Sequence, residues 1–109
     1  MTKVEIFRHK GRPVGFNAKG HTGYAQEGSD IVCSAISVLT TSAVNGLTEL
    51  LKLNVALETG EAGLYCMLED GISESDMQRA EIILETMAMG LNSVADTYGD
   101  YIKIIEREV

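Results

Sequence analysis

The sequence predicts an α+β fold, a mostly antiparallel sheet packed with two helices in the order ββαββαβ. Three observations lead there. Two pairs of short, alternating segments are each joined by a glycine-bearing turn, the pattern of β-hairpins. Two longer segments carry apolar residues at helical spacing, and a last alternating segment closes the order. Hairpins separated by helices form a sheet with helices laid on it, and 109 residues are enough for one such domain, spanning 1–109.

The first segment, "KVEIFRHK", reads as a strand in which Val4 and Ile6 alternate against Lys3, Glu5 and Phe7. "KGRP" turns the chain, with Gly11 and Pro13 as the turn residues. In "VGFNAKG", Val14, Phe16 and Ala18 share a face, so these two strands form the first hairpin. Gly20 to Ser29 reads as a loop.

A long helix is expected from about Asp30 to Lys52, with Ser29 or Asp30 as its N-cap. Its stripe is Val32, Ile36, Leu39, Ala43, Leu47 and Leu50, widened by Ile31, Ala35, Val38 and Val44. A helix apolar on more than one side calls for cover on more than one side. The sheet and the second helix supply that cover, or an oligomer partner does.

"LNVALET" and "AGLYCMLED" read as the second hairpin, turning across Thr59, Gly60 and Glu61. The second helix is "SESDMQRAEIILETMAMGLNSVADTYG", with Ser75 and Gln78 as a capping box and Gly99 as the stop. Met77, Ala80, Ile82 or Ile83, Met87, Leu91 and Val94 make its buried stripe. "DYIKIIEREV" is the final strand.

Asp and Glu outnumber Lys and Arg by 16 to 9, for a formal charge of −7. A direct nucleic-acid partner is therefore not expected, because phosphate binding needs a surplus of cations. A basic partner is compatible with this balance. The uncharged run from Ile31 to Thr48 nears the length of a membrane span. Its polar residues, Ser34, Ser37, Thr40, Thr41, Ser42, Asn45 and Thr48, argue for a buried helix instead, so no membrane partner is expected. The segment "MTKVEIFRHK" lacks the apolar core of a signal peptide, and two cysteines make no disulfide framework. A cytoplasmic location is the expectation.

The chemistry concentrates in "GHTGYAQEGSDIVCSA", which holds His21, Cys33 and the glycines Gly20, Gly23 and Gly28. Cys33 falls in the first turn of the first helix, where unpaired N–H groups and the helix dipole favour a thiolate. A nearby imidazole can take the thiol proton, as in Cys–His acyl transfer. The first-turn N–H groups can also bind a developing oxyanion. Asp30 either orients His21 or caps the helix, and capping is the simpler role. Ser37 lies one turn beyond Cys33 on the same face. A free cysteine is more usually a small buried hydrophobe, and these residues alone do not decide for catalysis. One Cys and one His fall short of the roughly four ligands of a zinc site, so no metal or cofactor is expected. Cys66 alternates with Leu64 and Leu68 as a core residue, and His9 reads as solvated.

The same stretch resembles the signature of the bacterial ribosomal-processing cysteine proteases, the Prp family. It supplies Gly20-His21, Gly23, Gly28, Asp30-Ile31-Val32-Cys33, Ser34-Ala35 and Ser37, with Ser34 where relatives often carry alanine. The resemblance implies that Cys33 is the catalytic nucleophile and His21 its base, with Asp30 and Ser37 in supporting positions. It implies an endopeptidase that removes the N-terminal extension of a large-subunit ribosomal protein, the twenty-seventh in the standard series, and so supports ribosome assembly. The partner is then the precursor of that basic protein. It further implies a homodimer, and a mobile lid between His21 and Cys33 containing Gly23 and Gly28, with Gly20 at its start. The rival expectation is a non-catalytic assembly factor that binds a basic ribosomal protein through its acidic surface; a redox-sensor thiol is a third.

Overall fold

The structure is a computed structural model that describes residues 1–20, 30–61 and 63–109. The first hairpin pairs β1 (Thr2–His9) with β2 (Arg12–Lys19). Its turn is Lys10-Gly11, both at positive φ (52° and 81°), the geometry that suits the twist of a two-residue hairpin. Pro13 is not a turn residue. It is buried in β2 opposite Arg8, where the register shifts between Phe7 and Arg8 and no regular ladder donor is needed.

The second hairpin joins β3 (Val55–Gly60) to β4 (Gly63–Leu68). Thr59 and Gly60 extend the strand, so the turn falls later than the sequence suggests. The last strand, β5 (Ile102–Glu108), pairs with β1 in parallel and completes a five-stranded sheet among the described residues, in the order β3-β4-β2-β1-β5. The other three pairings are antiparallel. A parallel return needs a crossover, and the second helix provides it.

The first helix, α1 (Ile31–Asn45), continues through Gly46–Leu50 in a wider turn closed by Leu51 N–H on Gly46 O at 3.1 Å. Lys52 then takes a positive φ of 57° and ends it. The second helix, α2 (Glu74–Tyr98), begins at Ser73, whose hydroxyl accepts from Asp76 N–H at 3.2 Å. Ser75 is therefore inside the helix and is not its cap. Gly99 follows the last turn as expected, but with helical φ (−60°), so its freedom at positive φ is not used.

Both helices lie on the sheet face that presents Val4, Ile6, Phe16, Ala18, Cys66 and Ile102. α1 contributes Val32, Ile36, Thr40, Ala43, Val44 and Leu47, and α2 contributes Ala80, Leu84, Met87, Ala88 and Leu91. Burying each large apolar side chain gains roughly 1.5–3 kcal/mol. Thr40 is buried inside the α1 stripe because its hydroxyl donates to Ile36 O at 2.9 Å. Among the described residues the sheet and α2 cover the inner sides of α1 and leave its outer face open. Ile31, Val38 and Leu50 remain 55%, 64% and 80% exposed. Ile31–Leu50 has the length and hydropathy of a membrane span, yet its inner face packs in the core as a soluble core helix does. On the opposite sheet face Phe7 is also buried, its ring 6.0 Å from that of Tyr65, so β1 is apolar on both sides at that point.

The helices meet where glycine allows it. A Cβ on Gly90 would come within 2.7 Å of the Leu39 side chain, and one on Gly46 within 3.1 Å of Ile83. These two contacts set the helices antiparallel. At the edge of this contact α2 is tied to the first hairpin by charge. Arg8 holds Glu85 with two bonds of 2.8 and 2.9 Å and Glu106 with a third of 2.6 Å. Arg12 does the same with Glu74 and Glu81. Half-exposed pairs contribute little individually, about 0–1 kcal/mol, but they fix where α2 lies.

The tightest point in the sheet is Gly15, where a Cβ would sit 2.4 Å from Cys66 O and 2.9 Å from Met67 Cα. Both are backbone atoms, so relief requires β4 to move. Gly15→Ala is expected to lower stability by about 3 kcal/mol in urea unfolding. Gly60→Ala, with nothing within 4 Å of the new methyl, is expected to change it by less than about 0.5 kcal/mol. Equal effects would show that strand separation does not limit Gly15.

Candidate active site

The antiparallel register that sets Gly46 against Ile83 and Gly90 against Leu39 carries the first turn of α1 to the last turns of α2. α2 leads at once into β5, whose approach is fixed by Tyr101 N–H on Tyr98 O at 2.9 Å. Tyr101 O in turn accepts from Thr2 N–H at 3.0 Å. Cys33 therefore lies at the end of the molecule where β1 and β5 start and β2 finishes.

Asp30 caps α1. Its backbone is extended (φ −80°, ψ 102°) and its Oδ1 accepts from the N–H groups of Val32 and Cys33, each at 3.0 Å. The carboxylate is 5% exposed, and Ser34 N–H and Oγ both donate to the Asp30 carbonyl. Such a cap stabilises a helix by about 1 kcal/mol. It also bears on the oxyanion expectation. The N–H groups of Val32 and Cys33 are already engaged, so an oxyanion at Cys33 takes other donors unless Asp30 turns away.

Cys33 is half-buried on the second position after the helix start, and Ser37 is exposed one turn further on. The structure thus brings Asp30, Cys33 and Ser37 together along one stretch of α1. His21, Gly23 and Gly28 lie outside the described residues, and so does the lid assigned to them. Gly20 is described, and it is pinned. Its φ is +90°, and a Cβ there would lie 2.8 Å from Met1 O. Its carbonyl accepts from Thr2 Oγ1 at 3.1 Å, with Thr2 itself buried. The backbone immediately before His21 is therefore held to the start of β1. Thr2 is the residue that sequence reasoning missed. Nothing in its local sequence marks it, because the bond depends on the β1–β2 register.

Cys66 behaves differently. It is fully buried in β4, and desolvation pushes its thiol up to about 11. His9 is exposed at the opposite end of the sheet, its Nδ1 2.9 Å from Val109 O. Among the described residues no three His, Cys, Asp or Glu side chains converge to hold a metal ion.

These placements make the two thiols separable. Iodoacetamide at pH 7.5 is expected to label Cys33 in the folded protein. Cys66 should label only in denaturant or at a pH near the raised value of about 11. Peptide mapping by mass spectrometry reads the ratio, and comparable labelling of both under native conditions would contradict the buried placement of Cys66.

Comparison with known proteins bears on this site. A curated relative from Bacillus subtilis, ribosomal processing cysteine protease Prp, is 28% identical over 91 residues, covering 82% of this chain and 81% of the relative. A solved structure of an essential ribosomal processing protease Prp from S. aureus, with a covalently linked product peptide, superposes with a TM-score of 0.86. It is 22% identical, and the match covers 98% of this chain and 100% of that one. The S. aureus protease with a substrate peptide gives a TM-score of 0.82 at 21% identity, over 98% and 100% of the two chains. These likenesses show a shared α+β fold. The family model described as cysteine protease Prp matches residues 1–103, a span that includes both hairpins, both helices and the cysteine in the first turn of α1. On that match this chain belongs to the cysteine protease Prp family, and it is a cysteine endopeptidase.

Proposed function

We propose that this endopeptidase removes the N-terminal extension of a large-subunit ribosomal protein, the twenty-seventh in the standard series, and works in the cytoplasm as a homodimer. The observation that carries the reading is the position of Cys33. It is the cysteine at a capped helix start, half-buried, at the end of the molecule where the backbone one residue before His21 is pinned. The relatives named for ribosomal processing support the substrate class. An acidic chain of charge −7 also suits a basic ribosomal precursor.

In this mechanism the Cys33 sulfur attacks the scissile carbonyl carbon, and its proton passes to His21. The tetrahedral intermediate collapses, the C–N bond breaks, and His21 protonates the leaving amine. Water, deprotonated by His21, then attacks the thioester and returns Cys33 as the thiol. The covalently linked product peptide in the S. aureus relative is the kind of adduct that nucleophilic catalysis makes. Asp30 acts as a positioning residue, because its carboxylate sets the direction of the turn that carries Cys33. Ser37 borders the same face.

Dimer formation is supported by the outer face of α1. It is uncharged, and Ile31 and Val38 stand exposed on it. In sedimentation velocity the protein should run at twice its 11.8 kDa chain mass. Val38→Glu should shift it toward monomer, whereas a monomeric parent would overturn this part of the reading.

The chemistry is tested on a peptide spanning the precursor's extension, with the new N-terminus read by mass spectrometry. Cys33→Ala and His21→Ala are expected to reduce cleavage to background. Cys66→Ala should retain it, because its thiol is fully buried in the core. Binding of the precursor without turnover by the parent protein would favour the assembly-factor reading instead.

A further inference from the structure

At the end of the sheet away from Cys33, a cavity of about 460 Å³ opens between the hairpin end of β1–β2, the β4–α2 connection and the start of α2. The site-bearing end is marked by Thr2, Gly20 and Tyr101, and this end by His9, Leu68 and Met77. The helix register puts Cys33 level with residue 96 of α2. Met77 is 19 residues before that point, a separation of about 30 Å along the helix.

The cavity has an apolar floor and an acidic rim. Val14, Met67, Ile72 and Met77 line the floor, and Glu69 and Asp70 stand exposed at the mouth. Neither carboxylate forms an ion pair among the described residues. The two arginines of the neighbouring hairpin are already engaged, Arg8 and Arg12 each being held between two glutamates. His9 meets Val109 O at 2.9 Å. The local field at the mouth is negative, in a chain already at −7.

We propose that this cavity is a second binding site, for a basic peptide segment that places an apolar side chain beside a Lys or Arg. The apolar side chain fills the floor, and the cation meets Glu69 and Asp70. Its binding does not depend on the peptidase assignment. Its kinetic consequence rests on the reading given under Proposed function. A substrate cut at Cys33 reaches the cavity with about nine extended residues, at roughly 3.3 Å each. A long basic substrate is then held at two points, and a short one at the cut alone.

The test uses the full chain carrying Cys33→Ala, labelled with nitrogen-15. The probe is a nine-residue peptide with arginines on both sides of a central leucine and serine or glycine elsewhere. Amide shifts are expected at Val14 and across 67–72. A peptide with glutamate for arginine should give none. The E69K/D70K variant should weaken the arginine peptide at least about tenfold, and the milder E69Q/D70N variant should weaken it less. Spectral dispersion checks that both exposed-loop variants fold. Shifts confined to other surfaces, equal binding of the acidic peptide, or binding unchanged in both variants would overturn the proposal. In active protein, E69K/D70K should lower kcat/KM about tenfold for a precursor extending more than nine residues past the cut, and leave a short substrate unchanged. If the parent cleaves neither substrate, the substrate reading fails while the spectroscopic arm still decides the site.

Discussion

The close approach of α1 and α2 at Gly90 and Gly46 governs the rest of the architecture. Side chains at these positions would hold the helices apart and rotate their apolar stripes off the sheet. With hydrogen there, Leu39 and Ile83 settle onto the opposing backbones. The antiparallel register follows, and with it the meeting of the start of α1 with the end of α2. The placement of Cys33 at the site end depends on that meeting, whereas the β1–β2 register sets Thr2 against Gly20. α2 delivers β5 beside β1, β1 delivers Thr2 to Gly20, and Gly20 leads directly to His21.

Charge has a different task in the molecule from apolar burial. Arg8 and Arg12 reach from the first hairpin to four glutamates, three of them on α2, and hold Glu74 and Glu85 below the usual carboxylate range. These contacts are partly solvated, so their contribution is mainly positional. They consume two of nine cationic side chains on internal contacts and leave other carboxylates facing solvent.

Much of this was legible in the residues. Alternation in β1, β2 and β4 gave their inward faces correctly, and an Asp before an apolar run marked the α1 cap. The failures have physical causes. Ser73 and Ser75 both precede an acceptable partner at the third position, and only the backbone's extended conformation at Ser73 decides between them. Pro13 resembles a turn residue but sits at a register shift, which a single strand cannot reveal. The parallel return of β5 is a tertiary fact, set by the crossover of α2. At the site, Cys33 and His21 stood out through the motif that contains them. The cap bears on the oxyanion expectation, because the Asp30 carboxylate and a bound oxyanion compete for the Val32 and Cys33 N–H groups.

The parallel pairing of β1 with β5 carries a consequence in time. Thr2 is synthesised some hundred residues before its partners Tyr101 and Ile102. Such a distant closure forms late and slowly compared with the local hairpins. Until it forms, β1 lacks its outer neighbour and is the open edge of the sheet. Of the five described strands β5 is made last, so the sheet beside β1 is completed only after the other four have emerged.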